Sequence, residues 1–184
     1  MKKEVVKEII STILYFLGVL LLAFLIVKFV VQRTEVDGES MEPTLYNGEN
    51  LMVDKITYRF RNPKRFEIIV FQPYENDPDT LYIKRVIGLP GETVQILEDG
   101  SILINDQKLD ESYGKEVILP HKRDLAASKI TLGEDEFFVL GDNRNNSTDS
   151  RVAAVGNVEK KQIVGKSWIR IWPMSKFGSV ERKK

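Results

Sequence analysis

The sequence of 184 residues contains no cysteine and a single histidine, His121. The absence of cysteine excludes disulfide bonds, thiolate catalysis and zinc sites built from Cys and His. His121 lies in a polar run in which nothing indicates an activated side chain, so we expect a solvated loop histidine. A hydrolase with this composition would therefore need a base other than histidine.

The formal net charge is zero, but the charges are unevenly distributed. Residues 1–33 carry five Lys or Arg and two Glu, which leaves a charge of +3 at this end and −3 on the remainder. A mildly acidic body is a poor electrostatic partner for nucleic acid, so we expect no nucleic-acid partner.

The cationic end surrounds an apolar run that extends from Ile9 to Val27 and continues, after Lys28, to Val31. This length matches the ~20 residues that a helix needs to cross a ~30 Å hydrocarbon core. The alternatives are a buried core helix and a cleavable signal peptide, but the following segment VVQRTEVDG has no small-residue cleavage motif. We therefore predict an uncleaved transmembrane anchor over residues 9–31.

Lysines before this anchor predict its orientation in the cell membrane. Lys2, Lys3 and Lys7 favour a cytoplasmic N-terminus (residues 1–8) and an extracytoplasmic body (residues 32–184). Lys28 and Arg33 on the far side weaken this asymmetry.

The body shows short β-branched runs bounded by turn residues, and no long helical pattern. Asp99-Gly100 between two alternating runs predicts a hairpin. Residues 106–135 are polar without a clear period, so they form either a hairpin extension or an inserted lobe. The predicted fold is a mainly β, antiparallel, barrel-like catalytic domain preceded by one transmembrane helix. The predicted strands are Ile68–Phe71, Leu81–Ile87, Val94–Leu97, Ile102–Ile104, Phe137–Leu140 and Val164–Trp172.

A candidate nucleophile, Ser40, lies in the segment GESMEPTL, which we call the Ser40 turn (residues 38–45). Gly38 can adopt a positive φ, and Pro43 restricts the direction in which the chain leaves. Such a frame can point a hydroxyl outwards and leave backbone N–H groups free to bind an oxyanion. The alternative is an ordinary turn that follows a membrane helix.

A lysine in an apolar strand is the second candidate. On the predicted strand Lys84 shares a face with Tyr82 and Val86, whereas Arg85 lies on the other face. If one of the two cations is buried, we expect Lys84, because lysine can lose its proton and arginine cannot. A buried lysine with a pKa well below ~10.4 can accept a serine proton. The alternative is an edge-strand lysine with its head in water.

The third candidate segment is the polar loop after an apolar strand, which we call the charged loop (residues 141–151). Ser147 can hydrogen-bond a neutral lysine and orient it. Two aspartates mixed with two arginines do not form a set of metal ligands, so we expect no metal. The charged residues are expected to pair with one another and lock the loop: Asp142, Arg144, Asp149 and Arg151.

Together these segments resemble the bacterial type I signal peptidases, Ser/Lys proteases that release exported proteins from membrane-bound signal peptides. The single anchor and the small domain resemble the shorter Gram-positive form of the family. The likeness covers nearly the whole chain. It rests, besides the anchor, on residues 38–45, 68–71, 82–85, 88–92 and 141–151, which occur in this order.

The resemblance implies that Ser40 attacks the scissile carbonyl and that Lys84 takes its proton, without a cofactor. Ser147 would orient the lysine, and the charged loop would support the site. The expected partners are the lipid bilayer and signal peptides with A-x-A-like cleavage sites, bound as extended strands. Residues expected to line small substrate pockets are Val36, Val70, Tyr82 and Ile83.

Two features depart from the family pattern. Gly38 stands where some members have a hydroxyl that helps to bind the oxyanion, so the site must rely more on backbone N–H groups. The usual Arg-Gly-Asp before the middle strand is replaced by Arg65-Phe66-Glu67.

Two alternatives from other functional classes remain at this stage. The LexA-like self-cleaving Ser/Lys proteases resemble the same fold, but the anchor and the Gly-Asp-Asn-Arg sequence of the charged loop argue against them. A non-catalytic, membrane-anchored β-domain that serves as an adaptor would not need Ser40 or Lys84.

Overall fold

The computed structural model describes residues 2–180. Met1 and residues 181–184, which belong to the predicted N-terminal and extracytoplasmic regions, lie outside the described residues. The chain begins with helix α1 (Lys2–Phe29), and a short helix α2 spans Thr57–Phe60.

Helix α1 is long and apolar enough to cross a membrane, and its most apolar window has no buried residue. The helix therefore fits a membrane anchor. It begins within the predicted N-terminal region of residues 1–8 and ends before Val31, which is the first residue of strand β1.

The remaining described chain is mostly β-structure. Short 3-10 helices lie at Pro120–Lys122, Asp124–Ala127, Lys160–Gln162 and Met174–Lys176. The strands are β1 (Val31–Glu35), β2 (Asn50–Asp54), β3 (Ile68–Phe71), β4 (Tyr82–Gly88), β5 (Thr93–Ile96), β6 (Ile102–Ile104), β7 (Gln107–Lys108), β8 (Ile130–Thr131), β9 (Glu136–Leu140), β10 (Val158–Glu159), β11 (Ile163–Trp172) and β12 (Gly178–Ser179).

The strands form two antiparallel sheets. The larger sheet has the order β1-β2-β11-β3-β4-β9-β10, with β12 paired to β11, and it curls into a half-barrel. The smaller sheet has the order β7-β6-β5-β8. The predicted mainly antiparallel β fold is confirmed, and six strands occur within one residue of their predicted positions.

Strand β3 lies at the centre of the larger sheet, and all four of its residues are buried. Alternate residues along β3 face different apolar clusters, because successive side chains point to opposite faces of a sheet. Ile68 and Val70 pack with Met41, whereas Ile69 and Phe71 pack with Val86. Burial on both faces makes β3 and its neighbour β4 a rigid base for side chains at their ends.

The smaller sheet contains the predicted hairpin, since β5 pairs with β6 around Asp99-Gly100. Residues 106–135 add one short strand at each side of this hairpin, β7 beside β6 and β8 beside β5. Ala126, in a 3-10 helix of this segment, is fully buried in the cluster beneath the sheet. The segment thus extends the hairpin into a four-stranded lobe.

The turn before β3 holds Phe66 where the resemblance to the type I signal peptidases predicts a glycine. Phe66 has a φ of 71°, in the left-handed region that favours glycine. Its N–H donates to Val86 O at 2.7 Å, and its ring lies 5.0 Å from that of Tyr113. These contacts hold a non-glycine residue in a conformation that costs about 1–2 kcal/mol.

Candidate active site

The structure brings Ser40 and Lys84 together. Lys84 Nζ lies 2.8 Å from Ser40 Oγ and 3.1 Å from the carbonyl oxygen of Ile83. Ser40 is placed by the turn after β1, and Lys84 is the third residue of β4. Residues 44 positions apart in the sequence therefore form a hydrogen-bonded pair of the kind that activates a hydroxyl nucleophile.

Lys84 lies in an environment that favours its neutral form. Its side chain is only 4% exposed, and burial lowers its pKa from 10.5 to about 8. Asp149 and Asp142 oppose this decrease in pKa because their negative charges favour the ammonium form. The loss of hydration outweighs their attraction, so a large fraction of the amine is neutral near pH 8.

The expectation that Lys84 would be buried in preference to Arg85 is incomplete, because both are buried. Arg85 is 1% exposed and binds Asp142 through two hydrogen bonds, of 2.8 Å from Nε and 2.6 Å from Nη2. Its guanidinium also lies 3.8 Å from the centre of the Tyr113 ring. A paired carboxylate and an aromatic face allow a permanent cation to be buried.

The prediction that the charged loop pairs only within itself is wrong for two of its residues. Asp142 pairs with Arg85, and Arg144 pairs with Glu111 at 2.6 Å. Both partners come from outside the loop. Arg85 belongs to β4 and Glu111 to the segment of residues 106–135, and both side chains lie within ion-pair distance of the loop. Asp149 and Arg151 do pair with each other, at 2.8 Å.

Arg151 and Asp149 also fix the loop backbone. Arg151 Nη2 donates to Arg144 O at 2.6 Å, and Asp149 Oδ2 accepts the N–H of Gly141 at 3.0 Å. Because these bonds join both ends of the loop, its conformation is determined largely by buried charged side chains.

Ser147 lies beside the site, but among the described residues its hydroxyl has no hydrogen-bond partner. The Oγ atom is buried, and a Cβ added to Gly141 would meet both it and the carbonyl oxygen of Ser40. The predicted hydrogen bond from Ser147 to Lys84 is therefore absent from this conformation, although both residues line the same groove.

Two residues that the sequence did not single out tie the Ser40 turn to the charged loop. Thr44 Oγ1 donates to Asp142 Oδ2 at 2.5 Å. Asn143 donates from its backbone to Ser40 O at 3.0 Å and from its side chain to Glu39 O at 3.2 Å. The only sequence signal for these roles is that both residues lie within the matching segments.

Gly38 has a φ of 87°, a positive value that its position before Ser40 suggested. Its N–H donates to Asn47 Oδ1 at 2.8 Å and so is already engaged. Within residues 2–180, by contrast, the N–H of Ser40 has no acceptor.

A groove of about 580 Å³ opens over Ser40 and Lys84. Its walls are formed by residues 34–41, 79–84 and 146–148, which include the predicted pocket residues Val36, Tyr82 and Ile83. The prediction for Val70 is wrong. Val70 lies beside Ile83, its partner across the two strands, but it is fully buried in the apolar cluster that the two share and does not line the groove.

His121 lies in the exposed 3-10 helix Pro120–Lys122 and does not line this groove. Across residues 2–180, no group of three or more His, Asp or Glu side chains is arranged to hold a metal ion.

Known proteins are similar to this sequence over most of its length. The family model for signal peptidase, peptidase S26, matches residues 9–172. Signal peptidase I of Leptolyngbya laminosa is 42% identical over 165 residues, covering 86% of this chain and 77% of that protein. Signal peptidase IB of Staphylococcus aureus is 36% identical over 191 residues, which cover 96% of this chain and 94% of that protein. A crystal structure of a signal peptidase I from Enterococcus faecalis covers 58% of this chain at 33% identity, with a TM-score of 0.44.

The β fold, the apolar helix and these relatives define a peptidase with an N-terminal helix that fits a membrane anchor. Within that class, the chain belongs to the signal peptidase family, peptidase S26.

Proposed function

We propose that this protein is a membrane-bound serine endopeptidase that removes N-terminal signal peptides from exported precursors, with Ser40 as nucleophile and Lys84 as general base. The observation that carries the proposal is the 2.8 Å contact between Ser40 Oγ and a buried Lys84 Nζ whose pKa is lowered to about 8. Membership of the signal peptidase family supports the choice of substrate.

In the first step Ser40 Oγ attacks the scissile carbonyl carbon, and its proton passes to the neutral Lys84 amine. The carbonyl oxygen becomes an oxyanion. We assign the free N–H of Ser40 as a backbone donor that stabilises it. Collapse of this intermediate breaks the C–N bond, and the Lys84 ammonium returns the proton to the leaving amine.

The second step releases the signal peptide from Ser40. A water molecule gives one proton to Lys84 and attacks the acyl-enzyme carbon, and the Lys84 ammonium then protonates Ser40 Oγ as the ester bond breaks. Ser40 and Lys84 return to their starting protonation states, so no cofactor is needed.

The groove is suited to an extended peptide. Its two long walls, residues 34–41 and 79–84, include the exposed ends of β1 and β4, where a substrate strand can pair with backbone groups. Val36 and Ile83, with Tyr82 beside them, form the walls of small pockets that admit alanine and exclude larger side chains. Val70 supports Ile83 as its buried neighbour on the adjacent strand.

Helix α1 serves as the anchor in this proposal, with the lysine-rich N-terminus in the cytoplasm and the β-domain on the other side of the membrane. Because the substrate is held in the same bilayer, the anchor raises the local concentration of signal peptides near the groove.

The test is cleavage of a precursor with an A-x-A site by the full-length protein in detergent. Wild type is expected to cut after this site, and Ser40→Ala and Lys84→Ala are expected to lose at least ~1,000-fold in kcat. His121→Ala is the matched control and should cleave as fast as wild type. If Ser40→Ala retains activity, the proposed mechanism is wrong. If His121→Ala is inactive but folded, a histidine base replaces Lys84.

A further inference from the structure

Asn143 holds both carbonyl groups that flank the Ser40 side chain. Its backbone N–H donates to Ser40 O at 3.0 Å, and its side-chain amide donates to Glu39 O at 3.2 Å. Glu39 O also accepts the N–H of Glu42 at 3.1 Å. The peptide planes before and after Ser40 are therefore both fixed by hydrogen bonds.

The bond to Glu39 O has a consequence for the N–H of Ser40. These two groups belong to one peptide unit, which is planar and trans, so the N–H points away from the carbonyl. When Asn143 and Glu42 hold the carbonyl oxygen on one side, the N–H is directed to the opposite side. Among residues 2–180 no group accepts this N–H.

Asn143 is itself held in place. Its side chain is 4% exposed, and it directly follows Asp142, whose carboxylate binds Arg85 and Thr44. The charged loop also approaches the Ser40 turn so closely that a Cβ at Gly141 would meet the Ser40 carbonyl oxygen. Asn143 therefore acts from a rigid position.

We infer that Asn143 is a positioning residue that aims the Ser40 N–H at the oxyanion of the reaction. The inference rests on the proposed function, in which Ser40 is the nucleophile. It gains weight from Gly38, which offers no hydroxyl and whose N–H is engaged by Asn47, so that the Ser40 N–H must bear more of the oxyanion stabilisation.

The experiment compares Asn143→Ala and Asn143→Asp with wild type in full-length protein in detergent. Both variants keep the backbone N–H but cannot donate from the side chain to Glu39 O. We expect kcat to fall by about 10- to 100-fold with KM within about 3-fold of wild type, because one oxyanion donor is misdirected. For Asn143→Ala the pH dependence of kcat/KM should keep its wild-type midpoint, since Asn143 is uncharged and does not contact Lys84. Asn143→Asp adds a negative charge next to Asp142, so its midpoint should move to higher pH.

A second readout isolates the oxyanion. A peptide aldehyde ending in alanine forms a hemiacetal with Ser40 Oγ, which places its former carbonyl oxygen where the oxyanion lies. Its affinity should fall by about 10-fold or more in both variants, whereas the corresponding peptide alcohol should bind as it does to wild type. A residue that only stabilises the fold would not separate the two ligands.

Asn145→Ala is the matched control. Asn145 lies in the same loop and bonds backbone groups with its side chain, accepting from Leu119 N and donating to Val117 O, each at 2.9 Å. It lies outside the groove walls and should keep wild-type kcat and aldehyde affinity.

The outcomes separate this inference from the proposed function. If wild type does not cleave, or if Ser40→Ala cleaves equally well, the proposed function fails. If cleavage depends on Ser40 but a folded Asn143 variant keeps its kcat and aldehyde affinity, only the positioning role is overturned. Failure of both Asn143 variants to fold would also overturn it, because a positioning residue must leave the fold intact.

Discussion

Lys84 and Arg85 are neighbours on β4 and are both buried, but only Arg85 has a carboxylate within ion-pair distance among the described residues. Arg85 Nη2 lies 2.6 Å from Asp142 Oδ2, whereas Lys84 Nζ contacts a hydroxyl and a carbonyl oxygen. Alternation along the strand sends the two side chains to opposite faces. Arg85 is thereby paired with a carboxylate, whereas burial lowers the pKa of Lys84.

The first prediction concerns the pH dependence of cleavage. In the proposed mechanism the base is the neutral amine of Lys84, whose pKa is about 8, so the active fraction falls as pH decreases. The logarithm of kcat/KM should rise with a slope of about one up to pH 8 and then level off, a change of ~10-fold per unit on the acid side. Initial rates on a peptide substrate between pH 5.5 and 9.5 measure this. A flat profile with chemistry rate-limiting would exclude Lys84 as the base.

The second prediction is that Lys84→Met inactivates the enzyme but stabilises the fold at pH 7. Burial depresses the pKa of Lys84 from 10.5 to about 8, so the folded wild type binds fewer protons than the unfolded chain between these values. Wild-type stability is therefore lowest below pH 8 and rises towards pH 10.5. The variant lacks this cost, which a shift of this size puts at about 3 kcal/mol at pH 7.

Denaturant unfolding of both proteins at pH 7 and pH 10.5 tests this linkage. The advantage of Lys84→Met should shrink at the higher pH, where Lys84 is neutral in the folded wild type and about half deprotonated in the unfolded chain. Lys122→Met replaces an exposed lysine and should change the free energy of unfolding by less than about 0.5 kcal/mol at either pH. An advantage that does not depend on pH would rule out charge burial as its cause.

The third prediction concerns the carboxylate that pairs with Arg85. Asp142→Ala leaves a buried guanidinium without its counter-ion, and we expect a loss of about 3–5 kcal/mol in the free energy of unfolding. The control is Lys129→Ala, which breaks the ion pair between Lys129 and Asp106. Because these two side chains are 45% and 65% exposed, the loss in the free energy of unfolding should be less than about 1 kcal/mol. Equal losses in the two variants would show that Arg85 finds another partner or becomes hydrated.

The strands that could be predicted from the sequence are those with a continuous run or a clear alternation of apolar residues. Ile68–Phe71 reads as a continuous apolar run that ends before a proline, and the structure has β3 at these residues. β1 and β2 were missed. β1 has the sequence VQRTE, with no apolar alternation, and is a strand because it pairs with β2 next to the anchor. Tertiary pairing of this kind leaves no local pattern.

Some residues of the candidate site could likewise be predicted from the sequence, and others could not. Ser40 and Lys84 are recognisable because a glycine-framed hydroxyl and a lysine in an apolar strand are unusual locally. The partner of Asp142 was not predictable, because Arg85 lies 57 residues away and packing decides which charges meet. Val70 shares a face with the groove residue Ile83 but lies deeper in the apolar cluster, and a strand pattern gives the alternation of faces but not the depth of a side chain below a groove.

The last prediction concerns Ser147, whose role in orienting Lys84 we propose for the substrate complex. Its buried hydroxyl lacks a partner among the described residues, and such a group costs about 1–3 kcal/mol. Ser147→Ala should therefore keep or raise the free energy of unfolding. If the hydroxyl turns to Lys84 when a peptide fills the groove, kcat should fall by about 10-fold or more with little change in KM.

Ser150→Ala is the matched control, because Ser150 Oγ accepts Val139 N–H at 3.0 Å and lies outside the groove walls. That variant should lose about 1–3 kcal/mol of stability and keep its kcat, the reverse of Ser147→Ala. A Ser147→Ala enzyme as fast as wild type would show that Lys84 is oriented without this hydroxyl, by its burial and by the carbonyl of Ile83.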